Sequence, residues 1–282
     1  MNGEKIINQL GKPEGRLLMF GGVYSNLQSL TALKAWAEEN EYAPEKIFCT
    51  GDILGYCAQP VECIDLIKEW GIHSIAGNVE LQVKDNELDC GCDFTTGGRC
   101  DLFSKNWYTY IQSKIDTRSR KWLDTLPHHI QFNYGKDKFT IVHGSWFQTA
   151  DYIFKSTPWM VKKNNLDAAG STVIVAGHSG LPFIDQQDGC SWINPGVIGM
   201  PANDGSPKVW FATINLKHNK LNYQFHQLEY DHLTAKDLMI QNDLPLSYAE
   251  TLATGIWDNC EILQEEETKM QGKKINLLPL II

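Results

Sequence analysis

The chain has no apolar run approaching the about 18 residues that a membrane-spanning helix requires. Its opening stretch, MNGEKIINQLGKPEG, lacks the apolar centre of a secretion signal. A cytoplasmic location, with no membrane partner, is therefore the expectation. Basic residues are in deficit: 25 Lys and Arg face 34 Asp and Glu, a net charge of −9. That balance excludes the basic footprint of a protein that grips duplex nucleic acid. Internal repeats and long linkers are missing too, and 43% hydrophobic content over 282 residues is enough for a full core. Neither Gly21-Gly22 nor Gly97-Gly98 fits the phosphate-cradling G-x4-G-K-S/T loop. Ser145 follows His143 closely but lacks the G-x-S-x-G setting of a serine hydrolase.

What is present is a set of short polar motifs, most of them directly after a strand-like apolar run. Gly22-Val23-Tyr24-Ser25-Asn26 follows RLLMFG, Gly51-Asp52 follows KIFCT, and Gly77-Asn78-Val79-Glu80 follows HSIA. Gly177-His178-Ser179-Gly180 follows TVIVA, and Val142-His143-Gly144 ends the run KFTI. Polar residues at the carboxyl ends of strands in an α/β sheet face a common crevice, where such folds place their sites. Aspartate, asparagine and two histidines meeting there offer oxygen and nitrogen donors to a divalent transition metal.

The order and spacing of these motifs resemble the calcineurin-like metallophosphoesterases, especially their small bacterial phosphodiesterase branch. That family runs D-x-H-x-N, G-D, G-N-H-D/E, a lone His, then G-H-x-H with N-P-G shortly after. The counterparts here are 22–26, 51–52, 77–80, His143, 177–180 and Asn194-Pro195-Gly196, so the likeness spans roughly residues 15–255. It implies an α/β (α+β) fold: a four-layer α-β-β-α sandwich of two mixed sheets with short C-terminal helices. It also implies one metallophosphoesterase-like domain over 1–282, with a core at 15–230, a cysteine-rich loop at 89–101 and a helical appendage at 231–262.

The resemblance implies a bridging Asp52 between two metal ions, with Asn78, His143 and His178 completing one of them. The other ion's ligands are missing, because Gly22, Tyr24 and Gly180 stand in their places. Val79 stands where the family carries a histidine that assists the leaving group. The expectation is one retained ion (Mn, Fe or Zn) on Asp52, Asn78, His143 and His178, with Asp52, Asn78 and His143 as the catalytic set. Tyr24, Asn26 and Glu80 are candidates for substrate binding. Tyr24 either donates to an anion or fills the room left by the absent ion, and Glu80 is a candidate for orienting a metal-bound histidine.

Cys90, Cys92 and Cys100 form a C-G-C-x7-C cluster in the stretch DCGCDFTTGGRC. Thiolates suit zinc, copper(I) or iron. Three readings stay open: the loop folds over the crevice and supplies thiolates there, it makes a separate zinc knob, or the thiols are bystanders. Cys57 is a further candidate for the crevice wall. His128-His129 reads as a solvated turn. The stretch EEETKMQGKKINLLPLII reads as a loosely ordered or partner-docking segment.

Three functions follow from these residues. The first is a metal-dependent phosphoester hydrolase of phosphodiesterase or phosphatase type, acting on a small phosphorylated substrate and able to form a homo-oligomer. The second is an inactive relative that binds a nucleotide or other phosphorylated ligand. The third is a thiol-metal protein built on the cysteine loop.

Overall fold

The computed structural model describes residues 5–281. In chain order, β1 (Ile7–Gln9) and β2 (Leu17–Phe20) precede α1 (Leu27–Glu39), β3 (Ile47–Cys49), α2 (Pro60–Trp70) and β4 (His73–Ser74). Next come α3 (Asn78–Asp85), α4 (Arg99–Lys114), α5 (Thr117–Leu123), β5 (His129–Tyr134) and β6 (Asp137–Val142). α6 (Trp159–Ala169), β7 (Val173–Ala176), β8 (Phe183–Gln187), β9 (Cys190–Asn194) and the hairpin β10 (Val209–Lys217) and β11 (Lys220–Leu228) follow. The chain ends with α7 (His232–Gln241), α8 (Leu246–Thr254), α9 (Glu265–Thr268) and β12 (Leu280–Ile281).

The strands form two six-stranded mixed sheets, ordered β12-β11-β10-β2-β3-β4 and β1-β5-β6-β7-β9-β8. Alternation along each strand decides which layer receives a side chain. Leu17 and Met19 of β2 and Val173 and Val175 of β7 meet between the sheets, with Phe48, Phe132 and Trp210. Leu18 and Phe20 point the other way, onto Leu30 and Leu33 of α1, Ile64 and Ile67 of α2, Trp107 of α4, and Met239 and Leu252 of α7 and α8. Ile174 and Ala176 face outward onto Leu166 and Ala169 of α6. Helices, sheet, sheet and helix therefore stack in four layers, as the motif resemblance implies. No helix among the described residues is long and apolar enough to cross a membrane.

β2, β3 and β4 pair in parallel, as do β6 and β7. Their carboxyl ends deliver the loops at 21–26, 50–54, 76–78, 143–145 and 177–180 to one edge of the sandwich. Helix caps fix where those loops stop: Asn26 closes the start of α1 by accepting from Ser29 N–H at 3.2 Å.

Two expectations need correction. The C-terminal stretch is not loose along its described length. β12 pairs antiparallel with β11, and Ile275 and Leu277 pack against the core between the sheets. Their apolar side chains reach a surface the sheets leave uncovered. His128-His129 is not a solvated turn either: His129 is 3% exposed at the start of β5 and stacks on Trp146 at 4.9 Å.

Burial, with Lys5 and His128 nearby, drives the His129 imidazole down to about 4. Neither of its ring nitrogens finds a hydrogen-bond partner among the described residues. The folded chain thus binds fewer protons here than the unfolded chain, whose histidine titrates near its ordinary 6.5. Stability from this group is complete above 6.5 and is lost as pH falls toward 4. His129→Phe should flatten the decline in the unfolding free energy from urea titrations between pH 6.5 and 4 relative to wild type, by up to about 3 kcal/mol. Parallel declines in both proteins would show that His129 is not the group responsible.

Candidate metal centre and its aromatic cavity

The loop after β3 carries Asp52, held at a left-handed φ of 53°. Its carbonyl accepts from Val23 N–H (2.8 Å) and Tyr24 N–H (3.0 Å), which binds the loop after β2 to it. Glu80, on the first turn of α3, accepts from Asp52 N–H (2.8 Å), Leu54 N–H (2.9 Å) and Gly77 N–H (2.8 Å). Gly77 must be glycine for this approach, since a Cβ there would lie 2.1 Å from Asp52 Oδ1. The Asn194 side chain braces the loop after β7 by donating to Ser179 Oγ at 2.9 Å.

These loops bring Asp52, Asn78, His143 and His178 together, all of them buried. His143 Nε2 lies 3.0 Å from Asn78 Oδ1, 2.9 Å from His178 Nδ1 and 3.1 Å from Asp52 Oδ2. His178 Nδ1 is 3.9 Å from the same Asp52 oxygen. His143 Nδ1 sits 2.7 Å from the Thr50 carbonyl, a partner that can only accept, so the ring donates from that nitrogen. In a neutral His143 the Nε2 lone pair then points inward. The Asn78 amide is oriented by donating to Cys90 O (2.8 Å) and Cys92 Sγ (3.2 Å), which turns its oxygen inward as well.

Four lone-pair atoms thus converge with few protons to share, an arrangement that suits a cation. The donor set, one carboxylate, one amide oxygen and two imidazoles, fits a divalent transition metal. Burial opposes charge on Asp52, yet His143 outweighs it and holds the carboxyl well below the usual range. Burial likewise opposes charge on His143, and Asp52 raises it. Burial lowers His178.

Tyr24 is 7% exposed, and its ring lies over Gly22, where a Cβ would meet ring carbons at 2.4 to 2.8 Å. The ring therefore fills the space that a side chain at position 22 would need. Gly180 is less crowded: a Cβ there would be in ordinary contact with the Trp257 indole, at 3.8 Å. Trp257 is held in place by donating Nε1–H to Pro201 O (2.7 Å) and its backbone N–H to Asn203 Oδ1 (2.8 Å). Beside Asp52 and His178 these rings enclose a cavity of about 80 Å³, which Tyr56, Trp107, Tyr152 and Tyr248 also line. Tyr152 stacks on the His178 imidazole with ring centres 4.5 Å apart.

Not every expected site residue reaches this cavity. Asn26 is fully buried, and its amide is committed to capping α1 and to donating to Gly199 O at 3.1 Å. Glu80 is also fully buried and braces the Asp52 backbone, orienting neither a histidine nor a substrate. Both corrections have one cause, namely that backbone donors and acceptors had already claimed these side chains. Burial and Asp52 push the Glu80 carboxyl up, while its three N–H donors favour the ionised form.

The cysteine loop does fold over the crevice, since Cys92 and Cys100 line the cavity. Yet the thiols do not assemble a knob: Asp52, His143 and His178 are the one close ligand cluster of His, Cys, Asp and Glu among the described residues. The neighbouring Cys92 thiol lowers Cys90, while Cys90 and burial raise Cys92. Cys100 turns away to Asn259 Oδ1 at 3.4 Å. Cys57 is buried in the core. The residues that motif reading missed are aromatic: Tyr56, Trp107, Tyr152, Tyr248 and Trp257. No local pattern marks them, because they meet only in three dimensions.

Comparison with known proteins places the chain in a family and a fold. An uncharacterized protein of Methanocaldococcus jannaschii is 28% identical over 263 residues, 85% of this chain and 98% of the relative. The fold is shared with a hypothetical protein from Pyrococcus horikoshii OT3 (TM-score 0.73, 20% identity, covering 86% of this chain and 99% of that one). It is shared also with a metallophosphoesterase from Sphaerobacter thermophilus (TM-score 0.67, 22% identity, covering 86% and 100%). The model of the calcineurin-like phosphoesterase superfamily domain matches residues 21–218, and the chain belongs to that superfamily.

Proposed function

We propose that the protein is a metal-dependent phosphoester hydrolase that works with one divalent transition-metal ion, Mn, Fe or Zn, on Asp52, Asn78, His143 and His178. The observation that carries this reading is the convergence of Asn78 Oδ1, His178 Nδ1 and Asp52 Oδ2 within 2.9 to 3.1 Å of His143 Nε2. A bound ion would supply Lewis-acid polarisation of a phosphoryl oxygen and a lowered pKa for water. Asp52 contributes the negative charge that holds it, and the Thr50 carbonyl fixes the His143 tautomer. Outer partners of this kind contribute about 10–100-fold to metal affinity or activity.

One ion is favoured over two because Gly22, Tyr24 and Gly180 stand where the resemblance puts the second ion's ligands, and the Tyr24 ring fills the space over Gly22. A ligand-binding protein without turnover is the runner-up, and one observation favours it. Val79, which cannot exchange a proton, lines the cavity where the family's leaving-group histidine belongs. The thiol-metal reading loses its basis, since the three cysteines do not converge.

Metal analysis of protein purified without air tests the reading. About one ion per chain is expected in wild type, lost in Asp52→Ala and kept in the Cys90, Cys92, Cys100 triple alanine variant. Hydrolysis of a generic phosphodiester should fall in Asp52→Ala by more than the roughly 100-fold assigned to an outer partner. Metal without hydrolysis under any divalent ion would leave the binding reading, and no metal at all would sink both the ion and the chemistry.

The occupancy argument has its own test by denaturant unfolding. Gly22→Ala should destabilise by about 1–3 kcal/mol through overpacking against the Tyr24 ring. In a Tyr24→Ala background the same change should be nearly neutral, a coupling within the range of direct neighbours. An equal penalty in both backgrounds would show that the ring does not fill the space over Gly22.

A further inference from the structure

We propose that the aromatic cavity beside the metal centre is a specificity pocket for a flat, uncharged ring carried by a singly charged phosphoester. This rests on the hydrolase reading above and adds which ester the site takes. Two independent features of the cavity carry it, its walls and its charge.

The walls are rings. Tyr24 meets Tyr56 edge-on at 4.7 Å, and Tyr56 in turn contacts Trp107 at 4.9 Å and Tyr248 at 5.0 Å. Trp257 closes the side above Gly180. The enclosed space is about 80 Å³, when about 10–15 Å³ suffices for one water. An inserted ring can pair with these walls edge-on or offset, the arrangements aromatic quadrupoles prefer. Tyr24, Tyr56 and Tyr152 also line the cavity, Tyr24 buried and the other two half-buried. A phenol hydroxyl facing the cavity is a donor that ester oxygens can accept from.

The charge is equally selective. No lysine or arginine lines the cavity, whose carboxylates and imidazole are Asp52, Asp258 and His178. Asp258 is already paired with Arg99 at 2.6 Å. A divalent ion with Asp52 leaves a net charge of about one in a buried setting, which one negative charge on the ligand balances. A dianionic monoester would leave an uncompensated buried charge, and that is strongly disfavoured.

Calorimetry on the metal-loaded full chain tests this with three non-hydrolysable probes. Phenylphosphonate monomethyl ester has the ring and one charge. Methylphosphonate monomethyl ester has the charge without the ring, and phenylphosphonate at alkaline pH has the ring with two charges. The first should bind at least about tenfold tighter than either of the others, the scale of one or two aromatic contacts. Trp257→Ala should remove most of that preference without changing metal content, and Trp257→Phe should restore it. Equal binding of the two monomethyl esters, or tighter binding of the dianion, would overturn the assignment. Turnover of methyl phenyl phosphate is followed in parallel. Ring-selective binding without turnover supports the pocket and removes the hydrolase reading, whereas turnover without ring selectivity does the reverse.

Discussion

Everything at the functional edge of this protein hangs on one buried carboxylate that touches no cavity. Glu80 gathers three backbone N–H groups, from Asp52, Leu54 and Gly77, and so fastens the loop after β3 to the start of α3. The left-handed backbone at Asp52 is strained for a residue with a side chain, and such strain persists only where the surroundings over-determine it. Glu80 does that, and it simultaneously sets Asn78, two residues earlier on the same helix, against His143. The two Glu80 oxygens together accept all three bonds, whereas an amide side chain would offer a single acceptor oxygen.

The site divides into two halves with opposite physics. On one side, polar atoms crowd together and are comfortable only with a cation among them. On the other, Tyr24 fills the position where a side chain is absent at Gly22, and Trp257 packs against Gly180. Aromatic rings suit that task, since an empty space lined by protein destabilises in proportion to its volume. The boundary runs through Asp52 and His178, which belong to the ligand cluster and also face the cavity. A bound molecule would thus meet both halves at once, a polar end toward the cluster and an apolar end toward the rings.

Much of the fold was legible because strands and helices announce themselves by period. The runs before Gly22, Asp52, Asn78, His143 and Gly177 are apolar and end in polar motifs, and each proved to lie at a strand end. β8 and β1 were not legible: FIDQQ is mostly half-exposed and INQ is mostly polar, so neither carries a buried signature. The four ligand candidates could be read from motif spacing alone. Asn26 and Glu80 misled for the opposite reason, since a motif position says which residue type is present and not which hydrogen bonds it already makes. The aromatic wall was invisible in the sequence because its members come from α4, α8 and loops far apart in the chain.

The pairing of Gly22 with Tyr24 also has a physical reason. Ligands to one ion depend on one another, for without the ion they become buried acceptors facing each other. An aspartate kept at position 22 beside Asp52, with no ion between them, would set two buried like charges side by side and force one carboxyl to take a proton. It would also strike the Tyr24 ring. A glycine at position 22 carries no charge and makes room for the ring. The altered half is therefore not a set of independent defects. Gly22 and Tyr24 are one structural unit, in which each residue is tolerable because of the other, and Asp52 keeps its charge because its remaining neighbours are histidines.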